Sequence, residues 1–406
     1  MDQQERRSGR TALIYVLPAP MDLALALILF VGTVRVAKLA GGATRVASVL
    51  AVWSVVYVVA CPFVGRLVNP RNAPRFVLGG CLLFALVCGL LAVAPGFAAM
   101  LTLMGVGGMA AALFFPSFQV FMKDMDAADG RHVSYSTGLY TFAWSSGFAC
   151  GPFVAGFLMQ FGKASAGGGE GSGWRYAFLF GAAICLLLSV VLALTLRART
   201  RSPRAPEAIR PAAGLPADEA LPDLAWLGWG VAVAMFTALA SVRTALPARG
   251  VRELHLSEGM LGTIFFVLSM TQALTGLALA RSRTWMYRAR PMAACGAAGC
   301  LGLLCFGLGS GPAAFLIGAV LFGMYTGAFC FYMVFHALVH PNRAGRYVAV
   351  NETIVGVTGF VAPLAAGALA DAWGFKLPYL LAAGLTLVVT AFQMQVHRMS
   401  PRRNCP

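Results

Sequence analysis

Asp22 lies inside a long apolar run, where a charged side chain is costly and usually serves a function. It follows Pro18 and Pro20, which predict a local break in the helix and polar backbone groups near the carboxylate. Burial of a carboxyl group favours its protonated form, so such a group can take up and release protons. Asp22 is therefore the proton-coupling candidate. The alternative is an acid at the inner membrane interface that pairs with a loop arginine.

Glu352 is the second acid that falls clearly within an apolar run, one to two helical turns from its start. It is a candidate for a gate or an ion pair. Its partners would be Arg346 on the same run, or Arg71 and Arg75 in a basic loop early in the chain. Direct contact with a substrate is the alternative.

Arg35 and Arg243 occupy similar positions in two further apolar runs. If both faced one cavity, their guanidinium groups could hold an anionic substrate through paired hydrogen bonds. The alternative is that both side chains extend to the membrane surface. Other polar or amphipathic side chains could line a substrate cavity or form hydrogen bonds between helices: Gln119, Trp144, Gln272, Tyr325 and Tyr332.

The cysteines and histidines do not form a recognisable metal site. Nine of the ten cysteines lie inside apolar runs, and none has a spacing that is typical of metal ligands. The sequence also lacks nucleotide-binding and catalytic-triad motifs. We therefore expect no metal, no cofactor and no enzymatic activity.

The composition predicts that these side chains are carried by membrane-spanning helices. The 406 residues are 59% hydrophobic and only 11% charged, whereas soluble domains carry about 25% charged residues. The apolar runs are too long for strands and lack alternation. They number twelve: 13–38, 44–66, 76–95, 98–121, 134–160, 175–197, 224–247, 258–280, 291–310, 312–338, 347–370 and 377–397.

The net charge of +16 reflects membrane topology rather than nucleic-acid binding, because the basic residues form short clusters between the apolar runs. With the N-terminus inside, the inner segments hold 22 Lys and Arg and the outer segments hold 9. This bias predicts an inner-membrane protein with both termini in the cytoplasm and with lipid as a partner.

The two halves of the chain repeat several landmarks at one offset. Pro152 and Pro363 are 211 positions apart, and so are Gly156 and Gly367. The longest polar break, rich in Pro and Arg, lies between the sixth and seventh runs. We therefore expect an all-α fold of two six-helix pseudo-repeats, with bundles at 1–196 and 223–406 and a cytoplasmic linker at 197–222.

This organisation resembles the major facilitator superfamily over nearly the whole chain. The loop after the second run keeps Gly65, Leu67 and the basic character of the superfamily's loop signature, but Asn69 replaces its acid. The fifth run resembles the signature of drug–proton antiporters, with Ala155 in place of one glycine; its matching residues are Gly138, Gly147, Gly151, Pro152 and Gly156.

The resemblance implies alternating access around a central cavity, with a small-molecule substrate, protons as the coupling ion and a monomeric protein. In that family the first helix lines the cavity and often carries an acid in drug–proton exporters, which would be Asp22. Two alternatives stay open. One is an organic anion exchanger or importer that uses Arg35 and Arg243, and the other is a non-transporting sensor or assembly protein on the same scaffold.

Overall fold

The computed structural model describes residues 16–39, 42–94, 96–129, 133–165, 173–200, 223–281, 285, 287–338 and 344–399. Side chains in a few helical segments, among them 123–129 and 133–139, lie outside this description. Within the described ranges the chain is helical and contains no strand. The predicted linker, 197–222, falls almost entirely outside them.

Twelve helices of the described chain are long and apolar enough to cross a membrane, which confirms the predicted number. The first six are α1 Pro18–Lys38, α2 Ala43–Leu67, α3 Ala73–Leu91, α4 Phe97–Asp129, α5 Val133–Ser165 and α6 Gly173–Thr200. The second six are α7 Ala225–Arg252, α8 Glu258–Arg281, α9 Ala289–Leu308, α10 Pro312–Leu338, α11 Ala344–Trp373 and α12 Lys376–Met399.

Some helices extend well beyond the apolar runs. The run predicted at 98–121 continues as helix to Asp129, and that at 134–160 continues to Ser165. Hydropathy marks only the part of a helix that crosses the hydrocarbon, whereas backbone hydrogen bonding continues into polar sequence.

The chain divides into two compact units. The first contains Met1–Arg35, Val52–Gly214 and Ser257–Phe266; the second contains Val36–Ala51, Leu215–Leu256 and Val267–Pro406. The beginning of α2 thus groups with the second unit, and the beginning of α8 with the first. The prediction of two six-helix bundles joined by a linker at 197–222 stays a prediction.

Within the first unit, α3 packs against α4 and α6, and α5 packs against α6. Its core contains stacked and edge-on aromatic rings, including Phe114 and Phe118 of α4, with centroids 5.6 Å apart. In the second unit, α7 packs against α10, α11 and α12, and α9 packs against α10 and α12. Fully buried Phe306, Phe315 and Tyr379 form part of that core.

Candidate functional site

Helix α5 packs very closely against α1 through two glycines one turn apart. A Cβ at Gly147 would meet the backbone of Ala19, and a Cβ at Gly151 would lie 2.7 Å from the carbonyl oxygen of Leu23. A side chain at either position would push backbone against backbone. The first part of the predicted α5 signature therefore has a physical role, which is to bring α1 into direct backbone contact.

Asp22 lies on α1 beside this contact, one turn from Ala19 and one turn from Ala26. Its side chain is buried, with 4% of its surface exposed, and its Oδ2 atom has no hydrogen-bond partner among the described residues. A buried charge without a partner is costly, whereas a protonated carboxyl is tolerated. Asp22 is therefore a buried acid whose neutralisation no described side chain provides through Oδ2.

The two prolines before Asp22 do not break the helix as predicted. Helix α1 begins at Pro18, and Pro20 lies in its first turn. Proline is tolerated there because the first N–H groups of a helix have no partner within the helix. Asp22 is consequently the fifth residue of a regular helix, and α1 offers it no unwound backbone.

The C-terminal part of α5 contacts the beginning of α8. A Cβ at Gly156 would meet the carbonyl oxygen of Glu258, and a Cβ at Gly262 would meet that of Pro152. Gln160 lies one turn beyond Gly156. A Cβ at Gly259 would lie 2.5 Å from the Oε1 atom of Gln160. We call Gly156 and Gln160 with the first turn of α8 the α8 contact. All of it belongs to the first unit.

An equivalent arrangement occurs in the second unit, where α11 contacts the beginning of α2. A Cβ at Gly367 would lie 2.8 Å from the Cα atom of Thr44. The carboxylate of Asp371 accepts hydrogen bonds from the N–H groups of Ala43, at 2.6 Å, and Thr44, at 2.9 Å. Asp371 thereby satisfies free donors at the positive end of the α2 dipole. We call Gly367 and Asp371 with the first turn of α2 the α2 contact.

The α2 contact also explains the glycine that precedes α2. A Cβ at Gly42 would lie 2.5 Å from Oδ2 of Asp371, so a side chain there would displace the carboxylate. Nearby in the same unit, the guanidinium of Arg252 donates a hydrogen bond to the carbonyl oxygen of Ala37, at 3.2 Å. Asp371 has no local sign in the sequence, because its partner N–H groups are more than 320 residues away in the chain.

Arg35 is held by groups of its own unit. Its Nη2 atom donates to the carbonyl oxygen of Ala94, which follows α3, at 2.8 Å, and its guanidinium lies 3.6 Å from the ring centroid of Trp174. These contacts fasten the end of α1 to the end of α3 and the beginning of α6.

Arg249, not Arg243, makes the equivalent contacts in the second unit. The Arg249 guanidinium is buried and donates to the carbonyl oxygens of Phe306, Gly307 and Gly309 at the end of α9. It also pairs with Glu253, at 3.0 Å. Both arginines therefore join the first helix of a half to the end of its third helix. Arg243 is half-buried on α7, and it was paired with Arg35 because sequence position alone could not show which arginine reaches α9.

Glu352 is exposed on α11, as is Arg346, and the structure records no ion pair between them among the described side chains. The neighbouring Asn351 is buried, and its Oδ1 atom accepts a hydrogen bond from Nε1 of Trp229, at 2.9 Å. Asn351 therefore ties α11 to α7. The proposed ion-pair gate stays a prediction.

The loop between α2 and α3 is ordered by its two asparagines. Oδ1 of Asn69 accepts hydrogen bonds from the N–H groups of Arg71, at 3.0 Å, and Asn72, at 3.1 Å. Nδ2 of Asn72 donates to the carbonyl oxygen of Leu67, at 2.8 Å. Asn69 thus supplies the acceptor that an aspartate would supply, but without the negative charge. Gly65 and Leu67 are exposed, and a Cβ at Gly65 would meet nothing within 4 Å.

The predicted cavity residues fall into two groups. Gln119 is exposed and donates weakly to the hydroxyl of Tyr140, at 3.5 Å, while Trp144 and Gln272 are half-buried. Oε1 of Gln272 is buried without a hydrogen-bond partner among the described groups. None of these three side chains is fully buried in the helix packing. Gly138 lies in α5, but its surroundings lie outside the described residues.

Tyr325 and Tyr332 form the second group, and both are buried in the core of the second unit. The Tyr325 ring packs directly on Gly299 of α9, and its hydroxyl accepts a hydrogen bond from Thr386 of α12, at 3.4 Å. The Tyr332 hydroxyl lies 3.2 Å from Nε2 of His397, also on α12. Both side chains therefore join α10 to its packing partners instead of being presented as free polar groups. Helix α10 is apolar on all sides, so its sequence could not show which face is buried.

Comparisons with known proteins agree with this architecture. The family model described as Major Facilitator Superfamily matches residues 9–347. Multidrug resistance protein 1 of Bacillus subtilis (strain 168) is 26% identical over 160 residues, which are 39% of this chain and 38% of that protein. This match therefore spans about two fifths of the relative's length.

Solved structures with low sequence identity share the fold over almost the whole chain. A bacterial homologue of the human lysosomal transporter Spinster, in an inward-facing and occupied conformation, has a TM-score of 0.71 at 14% identity, covering 97% of each chain. The nucleoside transporter NupG has a TM-score of 0.69 at 13% identity, covering 96% of this chain and 100% of that one. A bacterial homologue of the human drug peptide transporters PepT1 and PepT2 has a TM-score of 0.72 at 14% identity, covering 96% and 98%.

Proposed function

Since the chain belongs to the major facilitator superfamily, and is thus a membrane transporter of a solute, we propose that it exports a small molecule in exchange for protons. Alternating access of a central site to the two sides of the membrane would provide the transport step. The resemblance of part of the chain to a multidrug resistance protein supports efflux.

The observation that carries the proposal is the buried carboxyl group of Asp22, whose Oδ2 atom has no partner among the described groups. An ionised carboxylate that is buried without a partner is costly. A proton removes this cost, and so does the arrival of a cation. A group that is stable only when neutralised is suited to exchange a proton for a bound solute.

The helix contacts support a conformational role for α2, α5, α8 and α11. In both units a glycine brings one of these helices against the first turn of another, at positions 211 residues apart. Contacts between smooth backbones can separate and re-form without unpacking large side chains. We assign the α2 contact and the α8 contact to the outer side, with both termini in the cytoplasm of an inner-membrane, monomeric protein.

The polar groups that remain accessible would serve the substrate and the inner gate. Gln119, Trp144, Gln272 and Arg243 would line the central cavity. Glu352 and Arg346 would form an ion pair when the cytoplasmic side closes. The anion-exchange alternative is less well supported, because Arg35 is engaged by Ala94 and Trp174.

Transport driven by a pH gradient tests the proposal. The purified protein would be reconstituted into proteoliposomes, with uptake of ethidium and of Hoechst 33342 measured by fluorescence. We expect Asp22→Asn to abolish the uptake driven by the gradient and Asp22→Glu to retain part of it. Glu207→Gln is the control, because it removes a carboxylate from the polar segment between the sixth and seventh apolar runs. Gradient-driven uptake by Asp22→Asn at the wild-type rate would exclude Asp22 as the proton carrier.

A further inference from the structure

An apolar groove runs along the C-terminal half of α2 in the first unit. Its volume is about 630 Å³, within the range of small-molecule pockets, and every residue that lines it is apolar. Along α2 the lining residues recur every fourth position, at Val55, Val59, Phe63 and Leu67. The side chains of Val59, Phe63 and Leu67 are 58–62% exposed, so the groove is open along its length.

The length of the groove matches one leaflet of a membrane. Twelve residues separate Val55 from Leu67, which corresponds to about 18 Å along a helix. The hydrocarbon of one leaflet is about 15 Å thick, half of the usual bilayer core. A single acyl chain lying in the groove would therefore extend from the middle of the membrane to its surface.

The groove ends at a cluster of positive charge. Leu67 and Phe76 line this end, and Arg66 and Arg75 are their immediate neighbours in sequence. Arg71 lies in the loop between them, and the loop from 65 to 75 contains no acidic residue. All three arginines are exposed, and none of their guanidinium groups has a hydrogen-bond partner among the described residues.

The loop is held in place by its own asparagines and not by its arginines. Asn69 and Asn72 use their side chains for hydrogen bonds to the loop backbone. The turn is therefore held by its asparagines, and its three arginine side chains lie at the end of the apolar groove without hydrogen-bond partners among the described residues. Phosphate oxygens are complementary to the arginine side chains, and acyl chains are complementary to the apolar groove.

We propose that this groove and the α2–α3 loop form a binding site for an anionic phospholipid. One acyl chain lies along Val55, Val59 and Phe63, and the phosphate binds to Arg71 and Arg75. Occupancy would fasten α2 to the loop that begins α3 and stabilise the first unit.

Binding can be measured with the full-length purified protein in detergent, by native mass spectrometry and by the melting temperature. The probes are dioleoylphosphatidylglycerol, the neutral dioleoylphosphatidylcholine, and soluble glycerol 1-phosphate. We expect phosphatidylglycerol to bind and to raise the melting temperature more than either of the other probes. Equal effects of the two phospholipids would overturn the proposal, as would an effect of glycerol 1-phosphate that matches phosphatidylglycerol.

The double variant Arg71→Gln, Arg75→Gln tests the contribution of the arginine charges to lipid binding. Each basic residue near a membrane surface contributes about 1 kcal/mol to the binding of anionic lipid, so affinity for phosphatidylglycerol should fall roughly thirtyfold. The matched control, Arg288→Gln with Arg290→Gln, removes the same charge from exposed positions at the beginning of α9. An equal loss in the control would reduce the effect to general electrostatics and contradict the site.

The variant Val59→Trp tests whether an acyl chain lies in the apolar groove, because it fills the groove while the arginines remain. We expect this variant to lose the preferential binding of phosphatidylglycerol. Val106→Trp, at a partly exposed position on α4 outside the groove, is the control. Phe63→Ser provides a second test with little change of packing, because Phe63 is 61% exposed. Wild-type binding by both groove variants would show that no acyl chain lies there.

Discussion

The two units fasten their helices at equivalent positions, but with different chemistry. In the first unit, Arg35 makes one carbonyl hydrogen bond and lies over Trp174, and the α8 contact ends in the neutral Gln160. In the second unit, Arg249 donates to three carbonyl oxygens, and the α2 contact ends in the charged Asp371. Gln160 and Asp371 are 211 positions apart, the same offset as Gly156 and Gly367.

This difference shows which features the architecture requires and which it leaves free. Glycine occurs at both close contacts because either backbone approach excludes a side chain. A capping carboxylate from the neighbouring helix occurs at only one of them, so the geometry does not depend on it. The second unit is fastened by buried and capping charges, whereas the buried acid proposed for proton exchange, Asp22, lies in the first.

The largest expected effect comes from the two arginines. Arg249→Gln should lower the free energy of unfolding by roughly 3–5 kcal/mol, because Glu253 loses its cation and three carbonyl groups lose their donor. Arg35→Gln should cost about 1.5–3 kcal/mol, since one charged hydrogen bond is lost. Unfolding in SDS, followed by tryptophan fluorescence, measures both. A larger loss for Arg35→Gln would reverse the comparison.

Valine at the two glycines should have the next largest effect. Gly156→Val would press on the backbone of Glu258, and Gly367→Val would press on Thr44. Backbone cannot move aside as a flexible side chain can, so each change should cost about 1–3 kcal/mol and reduce transport. Gly384→Val is the control, because a Cβ there meets nothing within 4 Å. If only one of the two glycines proves sensitive, the repeats are not equivalent at these contacts.

The charge at the α2 contact should contribute least. Asp371→Asn should lower stability by about 0.5–2 kcal/mol, because a capping carboxylate at the positive end of a helix is lost. Gln160→Glu should not give an equal gain at α8, because Glu258 already places a carboxylate in that first turn and the two like charges repel. The loss in Asp371→Asn should shrink in high salt. No stability change in Asp371→Asn would mean that the two hydrogen bonds at α2 form without the charge.

The sequence was most informative where the membrane imposes a simple requirement. Twelve apolar runs predicted twelve helices, and a shared offset predicted that Gly156 and Gly367 have equivalent roles. Asp371 and Arg249 escaped prediction because their partners are backbone groups far away in the chain, which leave no local pattern. For Tyr325 and Tyr332 the sequence leaves a cavity position and a hydrogen bond between helices both open, because an apolar helix does not reveal its buried face.

Proton release on solute binding tests the central claim most directly. Ethidium would be added to the purified protein in weakly buffered detergent solution while a pH indicator records the protons set free. The account predicts release by the wild type and by Glu207→Gln, and binding without release by Asp22→Asn. Undiminished proton release by Asp22→Asn would contradict the assignment of Asp22 as the group that exchanges a proton for the solute.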